Sequence, residues 1–238
     1  SAILLVHIFG NAVDIKPLLK ICKEKKIKII EDASESLGTF YNKNYLKGKH
    51  TGTVGDFGCL SFNGNKIITT GGGGAVITNS KKFYNYCNYI CDQAKDDSLF
   101  SVHNEVGYNY KLSNIHSAIG CAQIEKIKKY IRKKKKIHNN YRNLFKHSSK
   151  FEILSLDTFY QSNYWLNVLE IKKQKRNALT KIIKKLKKNG FDSRPIWKLN
   201  HLQLPFRKFQ NYKIKKANKI VSTHLCIPSS PDLTLKDQ

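Results

Sequence analysis

A strand, a helix and a second strand within about 30 residues constrain this chain more than any other feature. Residues 2–9, AILLVHIF, form a short apolar run that stops at Gly10. VDIKPLLKICKEKK follows, with Asp14 as a candidate N-cap, Pro17 in the first turn, and Ile15, Leu18, Leu19 and Cys22 on one face. IKII, residues 27–30, is the second apolar run. Two strands joined by a helical crossover lie parallel, and ligands of such sheets sit beyond the carboxyl ends of the strands. EDASE, residues 31–35, occupies that edge.

Residues 39–56 are polar and read as a loop, and FGCLSF (57–62) and GAVITN (74–79) read as two more strands. Between them stand one lysine, Lys66, and the run Gly71–Gly74. No Gly-Lys-Ser/Thr sequence follows the glycines, so they are expected to let backbone pass closely and not to cradle a phosphate. Residues 80–93 read as a helix. Ser113 is the expected cap of one long helix running to about 145, with Ile115, Ile119, Ala122, Ile127 and Ile131 near helical period. Beyond it FEILSL (151–156) and NYWLNVLEI (163–171) read as strands. RNALTKIIKKLKKNG (176–190) and NYKIKKANKIVSTHL (211–225) read as helices, the first closed by Gly190. This pattern predicts an α/β domain over 1–140, with a mixed, mainly parallel sheet, followed by a small α+β domain over 141–238.

Composition narrows the class. Hydrophobic residues make up 40% of the chain, enough for a core. No apolar run reaches the roughly 18 residues of a bilayer span. The six cysteines, Cys22, Cys59, Cys87, Cys91, Cys121 and Cys226, are scattered without zinc-ligand spacing, as in a protein of a reducing compartment, and no metal is expected. The chain holds no Met and opens inside an apolar run, so it is expected to be incomplete at its N-terminus. The net charge of +26 could attract polyanions, yet lysine is spread along the whole chain. The densest block, KIKKYIRKKKKIH (126–138), has hydrophobic residues at helical spacing and reads first as a solvated helix face.

Three features line up for chemistry: Asp32 after one strand, Lys66 after another, and the Asn-bearing loop GYNYKL (107–112). A lysine amine attacks carbonyls when it is preorganised. Pyridoxal phosphate enzymes combine such a lysine with an acid against the pyridine nitrogen, and hold the phosphate with hydroxyls and backbone N–H groups. An Asp and a Lys alone do not decide this, because a solvated lysine is the commoner case.

The residues around them carry more. IIEDASESLGTFY (29–41), GTVGDFGCLSFNGNKIITTGGGGAVITN (52–79) and GYNYKLSNIHSAIGCAQ (107–123) resemble, in order, three signature blocks of the DegT/DnrJ/EryC1/StrS family of pyridoxal-phosphate-dependent nucleotide-sugar aminotransferases. SRPIWKLNHLQLPF (193–206) and LCIPSS (225–230) resemble its C-terminal blocks. The resemblance implies a fold type I transferase, incomplete at its front, with a small C-terminal domain. It implies that Lys66 carries the cofactor as a Schiff base and moves protons, that Asp32 faces the pyridinium nitrogen, and that Ser61 holds the phosphate. Asn109 matches an asparagine that reaches the phosphate of a neighbouring subunit, which implies a homodimer. Glu35 falls near the cofactor ring and resembles the bacillosamine and legionaminic acid subgroup; whether it faces the ring oxygen or the substrate stays open. Arg194 and His201 match positions on the sugar-nucleotide side, and His7 reads as a satisfied core histidine. The implied reaction moves an amino group from glutamate to a keto nucleotide-sugar, such as a UDP-4-keto-6-deoxy-N-acetylhexosamine, in cytoplasmic synthesis of surface-glycan sugars. The choice between C3 and C4 stays open. The family's members have a further stretch before the first strand seen here, with a Gly-Thr phosphate turn and an aromatic that stacks on the pyridine ring. Relatives that dehydrate sugars put His in place of the lysine, and Lys66 argues against that reaction. A catalytically incomplete remnant, or a basic nucleic-acid-binding protein built on 126–138, are the alternatives.

Overall fold

The computed structural model describes residues 1–172 and 178–238, which divide into two compact units. The first comprises residues 1–131 and 157–165, the second residues 132–156 and 166–238.

In the first unit β1 (Ala2–Val6), α1 (Lys16–Glu24) and β2 (Lys28–Asp32) form the predicted crossover. β1 and β2 pair in parallel, from Ala2 opposite Lys28 to Val6 opposite Asp32. Pro17 stands in the first turn of α1, where its missing N–H costs nothing. Asp14 does not cap the helix: the cap position is the buried Ile15, and Asp14 only accepts the Lys16 N–H at 3.3 Å. Burial of Ile15 sets the helix start, and a surface hydroxyl or carboxylate cap is absent. After a two-residue strand, β3 (Phe40–Tyr41), come β4 (Phe57–Ser61) and β5 (Gly74–Ile77). β4 pairs parallel to β2 and β5 pairs antiparallel to β4, so the sheet runs β1-β2-β4-β5 and is mixed, as expected.

The two faces of this sheet differ. Leu5, Ile29 and Glu31 point to a buried face. The registers put Leu4, Val6, Asp32, Cys59, Ser61 and Val76 on the other face, where Leu4, Val6 and Val76 are exposed. The glycine run serves β5: Gly71 and Gly73 adopt left-handed φ of +83° and +97°, and a Cβ on Gly74 would overlap the Leu60 carbonyl. Close passage is therefore needed at the β4–β5 ladder itself.

α2 (Lys81–Cys91) is capped by Ser80, and the short hairpin β6 (Lys95–Asp97) and β7 (Val102–His103) follows. Ser113 does cap a helix, but the long helix is two: α3 (Asn114–Ile124) and α4 (Ile127–Phe145). At the junction the Lys126 and Lys129 N–H groups bond three residues back, which breaks the α-helical ladder. β9 (Tyr160–Gln161) pairs with β3 and brings residues 157–165 into this unit.

The boundary between units falls at 131/132, inside α4. The second unit holds an antiparallel sheet of order β11-β12-β10-β8: β8 (Phe151–Ile153), β10 (Asn167–Ile171), β11 (Arg194–Pro195) and β12 (His224–Ile227). Its core joins Ile137 and Tyr141 of α4 to Ile153, Leu169, Ile171, Leu225 and Ile227. α5 (Ala178–Lys188) packs Leu179, Ile182, Ile183 and Leu186 against this cluster, and Gly190 follows with φ +82°. Arg176 and Asn177, expected to begin that helix, lie outside the described residues. α6 (Lys215–Thr223) leads straight into β12, so the C-terminal end of the predicted helix, His224–Leu225, is strand. Among the described residues no helix is long and apolar enough to cross a membrane.

Candidate active site

Glu31 and Asp32 are consecutive on β2 and so point to opposite faces. Glu31 is fully buried. Its Oε2 accepts from His7 Nε2 and the Gly52 N–H, both at 2.9 Å, and its Oε1 accepts from the Val54 N–H at 2.7 Å and the Gly55 N–H at 2.6 Å. Burial pushes this carboxyl up, but the His7 and backbone hydrogen bonds outweigh it and leave it below its ordinary value. His7 Nδ1 accepts the Val13 N–H at 3.1 Å, so Nε2 carries the proton given to Glu31. His7 is the satisfied core histidine the sequence suggests.

Asp32 ends β2 on the opposite face. Its Oδ1 accepts the Ser34 N–H at 3.0 Å, and the Ala33 N–H continues the ladder to the Cys59 carbonyl at 2.9 Å. Because Asp32 stands opposite Cys59, Ser61 two residues on shares its face. Ser61, half-buried, ends β4 and accepts the Asn63 N–H at 3.4 Å. The chain then turns, with the Lys66 N–H bonded to the Asn63 carbonyl at 3.0 Å.

The Lys66 side chain is only 13% exposed. Its Nζ lies 3.9 Å from Glu35 Oε1 and 4.3 Å from the centroid of the Trp165 ring. Glu35 Oε2 accepts the Phe9 N–H at 2.7 Å. Burial pushes the Glu35 carboxyl up, partly offset by the Phe9 N–H and Lys66, while Asp32 adds to the rise. Asp32 and Lys66 both act electrostatically on Glu35, so the three charges form one cluster.

The structure thus gathers Asp32, Glu35, Ser61 and Lys66 at the carboxyl ends of β2 and β4. Asn109 is exposed, on a loop fixed to the end of α2 by the Tyr108 N–H to Ile90 and the Tyr110 N–H to Cys91, with Tyr108 and Tyr110 stacked at 5.0 Å. No hydrogen bond among the described residues joins Asn109 to the Lys66 cluster. Arg194 and His201 belong to the second unit. Arg194 pairs with Asp192 at 3.1 Å on the surface, and His201 is half-buried in a 3₁₀ turn, Asn200–Leu202. Sequence reasoning missed Trp165 and Asn163, because NYWL reads as the start of a strand and nothing in it signals a partner for Lys66.

Residues 1–238 match the DegT/DnrJ/EryC1/StrS aminotransferase family. The chain belongs to this family. Aminotransferases of the family depend on pyridoxal phosphate. EpsN of Bacillus subtilis (strain 168) is 32% identical over 244 residues, covering 100% of this chain and 61% of EpsN. GDP-perosamine synthase of Escherichia coli O157:H7 is 32% identical over 241 residues, covering 98% of this chain and 62% of that protein. The solved structure of PseC, a Helicobacter pylori aminotransferase involved in the biosynthesis of pseudoaminic acid, superposes with a TM-score of 0.89 at 23% identity. It covers 100% of this chain and 63% of PseC, and it gives the fold as that of the fold type I sugar aminotransferases. This chain therefore spans about three fifths of the length of these relatives.

The residues present fit the family's cofactor. Lys66 offers a largely enclosed amine, Asp32 a half-buried carboxylate with a local hydrogen bond to the Ser34 N–H, and Ser61 a hydroxyl on the same face.

Proposed function

We propose that this chain is the lysine-bearing part of a pyridoxal-phosphate-dependent aminotransferase that moves an amino group from glutamate to a keto nucleotide-sugar. The observation that carries the reading is the Lys66 amine enclosed between Glu35 and Trp165, with Asp32 also acting on Glu35. When bound, the cofactor supplies an electron sink that lets a proton leave the amino-bearing carbon. Lys66 is the nucleophile that tethers it, and the base that takes this proton and returns it. Asp32 holds the ring nitrogen protonated, and Ser61 holds the phosphate. Glu35 faces the ring or the substrate from the Lys66 side. Arg194 and His201 bind the nucleotide-sugar, and Asn109 serves the phosphate of a second copy in a cytoplasmic homodimer.

The substrate proposed first is a UDP-4-keto-6-deoxy-N-acetylhexosamine, from the EDASES sequence at 31–36. A GDP-linked sugar is the second reading, favoured by the 32% identity to the E. coli GDP-perosamine synthase. The test is absorbance of the intact protein with added pyridoxal phosphate. Lys66→Ala is expected to lose the visible band that the parent gains. A parent protein that stays colourless refutes the proposal.

A further inference from the structure

Residues 160–165 are remote in sequence from the β2 and β4 edge, yet they bind both loops that carry its charges. Asn163 is fully buried. Its Nδ2 donates to the Glu35 and Leu37 carbonyls, each at 2.9 Å, and its backbone N–H donates to Thr39 Oγ1 at 3.0 Å. Its Oδ1 accepts the Trp165 N–H at 2.9 Å. Trp165, also buried, donates from Nε1 to the Asn65 carbonyl at 2.7 Å and presents its ring to Lys66 Nζ. One short segment thus fixes the backbone at Glu35 and the backbone next to Lys66.

Resting on the cofactor reading above, we propose that Asn163 and Trp165 are positioning residues that hold the protonated Lys66 amine between an indole face and a carboxylate whenever it is not bonded to the cofactor. A lysine is a compact, strongly hydrated charge on a flexible four-carbon stem, and unguided it would swing into water. The indole is the strongest aromatic partner for an ammonium, and it holds the charge without binding the proton. A contact of 3.9 Å to Glu35 attracts without forming a short hydrogen bond that would have to be broken each cycle. Asn163 makes the arrangement a unit: it carries Glu35 on its Nδ2 and Trp165 on its Oδ1.

The test is competitive acylation of the cofactor-free intact protein with trace acetic anhydride, which reacts with neutral amines. Each lysine is read by mass spectrometry against the exposed Lys128 and Lys136. Trp165→Leu is expected to raise the relative labelling of Lys66 about tenfold, within the range of a desolvated cation–π contact. Trp165→Phe keeps an aromatic face and is expected to stay within about threefold of the parent. Equal labelling of Lys66 in the parent and the Leu variant overturns the proposal, and so does a Phe variant that behaves like Leu. If the Leu variant does not fold, Trp197→Phe leaves Trp165 as the sole tryptophan of residues 1–238. Its emission should then change on Lys66→Ala, and an unchanged spectrum overturns the proposal. A failure of the cofactor reading is distinct: the parent stays colourless with pyridoxal phosphate while the labelling contrast persists.

Discussion

Glu31→Gln is the sharpest perturbation of the scaffold beneath this site. Both carboxylate oxygens of Glu31 accept two hydrogen bonds, and all four partners are donors. A glutamine of the same shape must turn its NH₂ toward one of these pairs, so either orientation removes two bonds to an ionised acceptor and sets donor against donor. Hydrogen bonds to charged groups contribute about 1.5–3 kcal/mol each, so the substitution should cost roughly 3–6 kcal/mol. A domain has only about 5–15 kcal/mol in total. The assay is urea unfolding of the chain of residues 1–238 in a Trp197→Phe background, where Trp165 is the sole tryptophan of these residues and reports the first unit. The pH dependence supplies a second reading. The Glu31 carboxyl is held below its ordinary 4.5, so its stabilisation is complete above that value and drains away as pH falls toward the folded-state value. The parent should lose stability over that acid range, and Glu31→Gln should lack this component. A loss smaller than about 1 kcal/mol at neutral pH would refute the reasoning, because it would mean that the four bonds are not jointly made.

Two further outcomes follow from burial. Lys134 is buried in the second unit, donates to the Ser229 carbonyl at 2.6 Å, and is pushed down to about 8 by desolvation. The unfolded chain therefore keeps that proton to higher pH than the folded one, and stability of this unit should rise between about pH 8 and the ordinary 10.5; urea midpoints across that range should show the rise, and Lys134→Met should flatten it. Gly10 has φ +86° and a Cβ there would overlap Asn163 Oδ1, so Gly10→Ala should destabilise the first unit by at least about 2 kcal/mol in the same Trp165 unfolding assay.

Much of this was legible because hydrophobic period and turn chemistry are local. The βαβ start, the β4 and β5 strands and the helix cap at Ser113 follow from residues close in sequence, and so does the placing of Asp32 at a strand end and of Lys66 between β4 and β5. What was not legible depends on contacts made at a distance. The helix start after Asp14 is set by burial of Ile15, which a capping rule does not weigh. The expected strand over 163–171 forms only from Asn167, because Asn163 and Trp165 are held by Glu35, Leu37, Thr39 and Asn65. No periodicity announces that exchange.

The alternation of β2 explains why one strand end can serve both stability and chemistry. Glu31 and Asp32 are neighbours, yet the pleat sends them to opposite faces. On the buried face Glu31 gathers His7 and the 52–55 turn, so the end of β2 is fixed by four bonds that do not touch the other side. Asp32 is then held in place by its neighbour, and among the described residues its carboxylate takes one local hydrogen bond, which leaves capacity for a partner. Had Asp32 carried the structural network, its lone pairs would be spent, and any ligand would have to break bonds to reach it. Three residues on, Glu35 is also anchored through one oxygen, to the Phe9 N–H, and turns the other toward Lys66. The same division recurs at Trp165, whose N–H groups bind the Asn163 side chain and the Asn65 carbonyl while its ring faces the amine. Each group that faces Lys66 is thus positioned through atoms other than those it offers, so substitutions that spare the offered atoms, such as Trp165→Phe, should be milder at the site than those that remove them.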